Sequence, residues 1–163
     1  MKHIGKKLHL HISVEDIQDS IEFYTIQLHA KPTKVKEDYA QWIIDDLSLN
    51  FAISTRGYEK GLNHLGIQYE SKNELKEAQI LFEKHNIIGK EDKGAVCCYK
   101  ESDKYWVKDP SGIVWENYHS MKDVEIFGQD STNSLDGCCI PNSENPLEIP
   151  SCSSPKDSKS SCS

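Results

Sequence analysis

Polar and apolar residues alternate through two stretches of the chain, K-L-H-L-H-I-S-V at 7–14 and L-N-H-L-G-I-Q-Y at 62–69. Period-two alternation marks a half-buried strand. A shift of 55 residues superposes the two stretches, placing His9 on His64, Leu10 on Leu65, Ile12 on Ile67 and Glu15 on Glu70. Four identities at one offset, in two segments of the same type, signal an internal repeat. Helical spacing follows each strand: Ile17, Ile21, Tyr24 and Leu28 in the first half, Leu75, Ala78, Leu81 and Phe82 in the second. Ser71 and Glu74 form a capping box at the start of the second helix, where hydroxyl and carboxylate satisfy free N–H groups of the first turn.

Three short strands are expected after each helix, at 33–37, 39–45 and 48–55, and again at 95–100, 104–108 and 112–119. Asp109-Pro110-Ser111-Gly112 carries a type I turn signature between the last two. The chain therefore reads as an α+β fold made of two βαβββ modules, about 7–55 and 62–119, within one domain over 1–128. A lone module would leave a sheet face uncovered and an edge unprotected. Two modules together curl into an incomplete barrel, whose concave face suits a metal and a small ligand.

After Phe127 large apolar residues become scarce and Ser, Pro, Asn and Asp dominate. Such a segment cannot bury enough surface to offset its ordering entropy, so 129–163 is expected to be a disordered, flexible tail. The net charge of -7 argues against a nucleic-acid partner, because phosphate binding needs a basic face. No apolar run approaches the length of a membrane span, and no apolar signal segment follows the short basic stretch Met1 to Lys7. A cytoplasmic location is the expectation, with the protein a monomer or homodimer.

The repeat gives two histidines a meaning that a lone strand histidine would lack. His9 and His11 share one face of the first strand, while Leu8, Leu10 and Ile12 share the other and are expected under the helix. His64 bears the same relation to Leu65 and Ile67, so His9 and His64 both face the hollow and are candidate metal ligands. Glu116, in the last strand, is a candidate third ligand, since a carboxylate there is costly unless paired with a cation. The first half has no carboxylate in Leu49 to Ser54, so one chain supplies one site. His11 is left open between a supporting residue and a rim residue. His29 and His85 read as residues satisfied near helix ends. Two imidazoles and a carboxylate suit Fe(II) where oxygen chemistry is involved, and also Zn(II), Mn(II), Co(II) or Ni(II).

Of six cysteines, Cys97 and Cys98 are adjacent at the start of the second half's sheet, and Cys138, Cys139, Cys152 and Cys162 fall in the tail. The vicinal pairs do not match the C-x-x-C pattern of a zinc ribbon. In a regular strand Cys97 and Cys98 would face opposite sides, so joint capture of a soft ion needs a bulge or loop, which Gly94 favours. The alternative is two small residues filling core space. The tail thiols read either as a scavenger of soft ions or as neutral features of a variable segment. Lys100, Lys104 and Lys108 could lower the pKa of the nearby thiols but read first as solvated charges, and Tyr99, Tyr105 and Trp106 could line the pocket but read first as core.

The paired plan with His9, His64 and Glu116 resembles the vicinal oxygen chelate superfamily, which includes glyoxalases, bleomycin resistance proteins and extradiol dioxygenases. Five motifs narrow the resemblance to its ArsI/CadI branch, the organoarsenical C–As lyases and cadmium-induced proteins: D-Y-A-Q-W-I-I-D at 38–45, L-N-H-L-G-I at 62–67, C-C-Y at 97–99, D-K-Y-W-V at 103–107 and W-E-N-Y at 115–118. Gly137-Cys138-Cys139 in the tail is similar too. His9 departs from many members of that branch, which carry a glutamine ligand there. The resemblance implies an Fe(II)-dependent enzyme of dioxygenase type. Cys97 and Cys98 would capture a trivalent methyl- or arylarsenical as a thiolate adduct beside metal held by His9, His64 and Glu116, and O2 would be consumed as the C–As bond is cleaved to release arsenite. The alternatives are a cadmium or arsenite binder without catalysis, another metalloenzyme of the superfamily such as a lyase or thiol transferase, and an antibiotic-sequestering protein without metal.

Overall fold

The computed structural model of the protein describes residues 5–57, 59–97 and 99–123. The chain runs β1 (Lys7–Ser13), α1 (Ile17–Gln27), β2 (Lys34–Lys36), β3 (Tyr39–Ile44), β4 (Leu49–Ser54), β5 (Gly61–Gln68), α2 (Lys72–Lys84), β6 (Gly89–Cys97), β7 (Lys100–Lys108) and β8 (Val114–Asp123), with one 3-10 turn at Asp45–Leu47. All eight strands form one mixed sheet in the order β2-β3-β4-β1-β5-β8-β7-β6. β1 and β5 pair antiparallel at its centre, and each pairs parallel with the last strand of its own half, β4 or β8. The two halves thus sit side by side within one chain, related by an approximate twofold between β1 and β5.

Local chemistry sets the helices. Asp16 caps α1 by accepting from the Asp19 backbone N–H at 2.8 Å. The Ser71–Glu74 capping box starts α2 as the sequence predicts. His29 and Asn86, just past the two helix ends, take left-handed backbone conformations that stop the helices.

Strand alternation then sorts side chains onto two faces. On the helix side, Ile17, Ile21 and Tyr24 pack on Leu10, Ile12, Trp42, Phe51 and Ile53. Leu75, Ala78 and Phe82 pack on Ile67, Tyr69, Tyr105, Val107 and Trp115. Each large apolar side chain removed from water here contributes roughly 1.5–3 kcal/mol. Leu8 was expected in this layer but is 43% exposed, because α1 covers only the later part of β1.

The opposite face is polar, and it is the inside of a curl. Tyr39 on β3 and Tyr99 beside β7 have ring centroids 5.6 Å apart, although four strands lie between β3 and β7 in the sheet. The Tyr99 hydroxyl donates to Asp38, and Lys34 on β2 pairs with Asp123 at the end of β8. The sheet bends until its outer parts touch, without closing into a barrel.

Two strands begin earlier than expected. β6 opens at Gly89, and Gly94, with φ +59°, lies at a register shift within it and not in a loop before it. β7 opens at Lys100. Among the described residues no helix is long and apolar enough to cross a membrane. The expected tail, 129–163, lies outside the described residues.

Candidate metal centre

His9 on β1, His64 on β5 and Glu116 on β8 come from three neighbouring strands and point into the hollow. All three residues are at most 5% exposed. His9 Nε2 and His64 Nε2 lie 3.3 Å apart, and Glu116 Oε2 lies 3.5 Å from the first and 3.3 Å from the second. The three sequence candidates for metal ligation therefore converge as a nearly equilateral triangle.

The remaining ring nitrogens define the tautomers. His9 Nδ1–H donates to the Asn50 carbonyl at 3.1 Å, and His64 Nδ1–H donates to Asn63 Oδ1 at 2.7 Å. In the neutral rings both Nε2 atoms then carry lone pairs, and both face a carboxylate oxygen. Burial pushes the His9 pKa down to about 4; Glu116 opposes the shift and His64 reinforces it. Burial alone would raise the Glu116 carboxyl, but the Lys104 ammonium leads the interactions that outweigh it and hold the group well below the usual range. A neutral imidazole and an ionised carboxylate are the forms a metal binds.

Three electron-rich atoms facing one another repel unless a cation sits among them. Metal bonds of about 2.0–2.2 Å put neighbouring donors about 2.8–3.6 Å apart, from octahedral to tetrahedral angles. The observed separations match this spacing. The fixed tautomers match what ligating histidines show, with the outer nitrogen donating to a carbonyl or carboxamide oxygen. The residues present fit a divalent metal.

Other residues complete the hollow. Lys104 is 4% exposed and pairs with Glu116 through Oε1, leaving Oε2 for the histidines. The sequence reading made Lys104 a solvated charge; the structure corrects this. Its alternation with Tyr105 and Val107, both on the helix side, is the signal that places Lys104 and Trp106 inward. Trp106 stands edge-on to His64 at 5.5 Å and donates from Nε1 to Asp92. Tyr99 and Tyr105 are buried as expected, in separate clusters.

At Gly66, which the sequence pattern does not mark, a Cβ would lie 2.3 Å from the Glu116 backbone carbonyl oxygen. Only glycine lets β5 and β8 approach closely enough to bring Glu116 beside the histidines. Asn50 holds the base of the hollow by accepting from Gln41 and donating to Gln68 and Tyr118, all at 2.7–2.8 Å. His11, left open by the sequence, is 1% exposed; its Nε2 contacts Ser54 Oγ at 2.9 Å, and it joins His9 and His64 in a group whose ligating atoms lie within 4.8 Å of one another.

The backbone of Cys97 ends β6 opposite Lys100. The Cys97 side chain, Cys98 and the tail cysteines Cys138, Cys139, Cys152 and Cys162 lie outside the described residues.

Comparison with known proteins places the chain in a family. Residues 6–117 match the family model of the Glyoxalase/Bleomycin resistance protein/Dioxygenase superfamily. The chain is 35% identical to the trivalent organoarsenical cleaving enzyme of Bacillus sp. (strain MD1), over 97% of this chain and 99% of that protein. It is 32% identical to the cadmium-induced protein CadI of Mycobacterium tuberculosis (strain ATCC 25618 / H37Rv), over 75% of this chain and 81% of that one. Among solved structures, homoprotocatechuate 2,3-dioxygenase from Arthrobacter globiformis superposes with a TM-score of 0.55 at 20% identity, over 78% of this chain and 40% of that chain, a likeness of fold alone. With paired modules, a converging ligand set and near full-length relatives in agreement, the chain belongs to the glyoxalase/bleomycin resistance protein/dioxygenase superfamily, in the branch of the organoarsenical-cleaving and cadmium-induced proteins.

Proposed function

We propose that this protein is an Fe(II)-dependent, dioxygenase-type lyase that cleaves the C–As bond of trivalent methyl- or arylarsenicals and releases arsenite. The observation that carries the reading is the His9–His64–Glu116 triangle in a chain 35% identical over nearly its whole length to a trivalent organoarsenical cleaving enzyme. His9 and His64 offer neutral Nε2 lone pairs held in place by Asn50 and Asn63, and Glu116 offers Oε2 while Lys104 neutralises Oε1. Bound there, Fe(II) supplies oxygen-activating redox chemistry to the carbon attached to arsenic.

Cys97 and Cys98 take the substrate role in this reading. Arsenic(III) is thiophilic, and a thiolate pair would hold the C–As bond near the metal, turning a two-body encounter into a positioned one. Iron is preferred to Zn(II), Mn(II), Co(II) or Ni(II) on the ligand set, because two histidines and one carboxylate with open positions suit non-haem Fe(II) and oxygen. The organoarsenical and O2 are the partners, and the cytoplasm is the compartment, where the cysteines stay reduced.

The experiment is aerobic incubation of purified protein, Fe(II) and a thiol reductant with methylarsonous or phenylarsonous acid, followed by arsenite quantification. Multiple turnovers are expected, with loss in Cys97→Ser/Cys98→Ser and in His64→Ala. The similarity to CadI and the cysteine-rich sequence favour one second reading, a cadmium- or arsenite-binding protein without turnover. That reading predicts stoichiometric uptake and no arsenite release. A thiol transferase or other lyase on the same scaffold would keep its activity in the Cys97→Ser/Cys98→Ser protein.

A further inference from the structure

The approximate twofold between β1 and β5 relates positions by the same offset of 55 that the sequence shows, so His11 corresponds to Gly66. Each has a register partner on the last strand of its half: His11 faces Ala52 on β4, and Gly66 faces Glu116 on β8. Ala52 is therefore the counterpart of Glu116. It is fully buried and carries no donor atom. The first half instead places an imidazole on the neighbouring strand, at the position where the second half has no side chain.

Three observations on His11 point the same way. Its ring is 1% exposed and 4.9 Å from the His64 ring. Its Nδ1 is buried without a hydrogen-bond partner among the described residues. Its other nitrogen, Nε2, is held by Ser54 Oγ at 2.9 Å. His9 and His64 show the same division, with one nitrogen tied to an outer oxygen and the other uncommitted. An unpartnered buried polar atom costs about 1–3 kcal/mol, so the fold does not leave Nδ1 unsatisfied without a use for it.

We propose that His11 is a fourth ligand of the same metal, bound through Nδ1, so that the centre is His9, His11, His64 and Glu116. The proposal rests on the metal-centre reading above and extends it. One ring nitrogen of each of His9, His11 and His64 lies within 4.8 Å of the other two, so a shift of the His11 ring would bring the three into range of one ion. The first half thus contributes two adjacent imidazoles from one strand, and the second half one imidazole and one carboxylate from two. A four-ligand protein set also leaves fewer positions for outside ligands than a three-ligand set, which limits how substrate and oxygen share the metal.

The test uses the full chain with 15N-labelled histidine, titrated anaerobically with Zn(II) as a diamagnetic probe. Long-range 1H–15N spectra report which ring nitrogen of each histidine is metallated. The expected result is three shifted rings, His9 and His64 through Nε2 and His11 through Nδ1. Shifts at His9 and His64 with His11 unchanged would overturn the proposal and leave the three-ligand centre standing. No shift at any of the three would overturn the metal-centre reading itself. As an independent readout, His11→Gln should weaken Co(II) affinity by at least about tenfold and alter its visible absorption. An unchanged affinity and spectrum would count against His11 as a ligand.

Discussion

In the first half of the sheet, β1 carries His9 and His11, and β4 sets Ala52 opposite His11; in the second half, β5 carries His64 and Gly66, and β8 sets Glu116 opposite Gly66. The backbone plan is common to both halves, but the donor atoms are distributed differently. In the second half the first strand carries glycine, because a Cβ there would strike the backbone carbonyl of residue 116 on the closely approaching last strand. Where the first strand offers a ring, the last strand carries a small residue. A repeat therefore conserves geometry while each half solves the packing of its donors separately.

The sharpest way to break this comparison is to remove the carboxylate. Glu116→Leu takes from the Lys104 ammonium its buried carboxylate partner, in a site where both residues are at most 5% exposed. Denaturant unfolding of the metal-free protein should show a loss of about 3–5 kcal/mol. The added change Lys104→Met should recover much of it. The corresponding change in the first half, Ala52→Gly, should cost only about 1 kcal/mol.

Gly66→Ala probes the close approach of β5 and β8. Its Cβ meets backbone and not a flexible side-chain end, so a stability loss of about 1–3 kcal/mol is expected, with weakened metal binding measured by calorimetry. A neutral effect would mean that β5 and β8 can separate without disturbing Glu116.

Acidification separates the halves in another way. In the metal-free protein His9 is depressed to about 4 and His11 is also well below its ordinary value, both chiefly by burial. The unfolded chain then binds more protons than the folded one between about pH 6.5 and 4, so stability falls as the pH is lowered through that window. Glu116, held below the ordinary carboxylate range, adds its loss only below about pH 4.5. Unfolding curves of the metal-free His9→Asn/His11→Asn protein should be flatter between pH 6.5 and 4, with the steeper loss below that retained.

The smallest effect concerns the helices. Ser71→Ala removes the α2 capping box and should cost about 1 kcal/mol in thermal unfolding, comparable to or slightly above Asp16→Ala at the simpler α1 cap.

The amino-acid pattern made much of this legible. The repeat at offset 55 aligned β1 with β5, and the helices and capping box were written in spacing and in Ser71 and Glu74. The inward faces of His9 and His64 followed from alternation, whereas the residues around Glu116 left its role open and the family resemblance singled it out. β6 was harder to read because Lys90-Glu91-Asp92-Lys93 carries no apolar alternation. It is an edge strand, where charge guards against further pairing, and its bulge at Gly94 breaks the period. Lys104 was misread because a lysine among lysines resembles a solvated face until its register against β8 is known. Gly66 and the unpartnered nitrogen of His11 depend on distances across strands, which no local pattern encodes.

The most direct test of the metal centre is anomalous diffraction from crystals of the full chain loaded with Fe(II) or Co(II) without oxygen. The account predicts a single strong peak within about 2.0–2.3 Å of His9 Nε2, His64 Nε2 and a Glu116 oxygen. A metal bound elsewhere on the chain, with His9 Nε2, His64 Nε2 and the Glu116 carboxylate still in contact with one another, would contradict it.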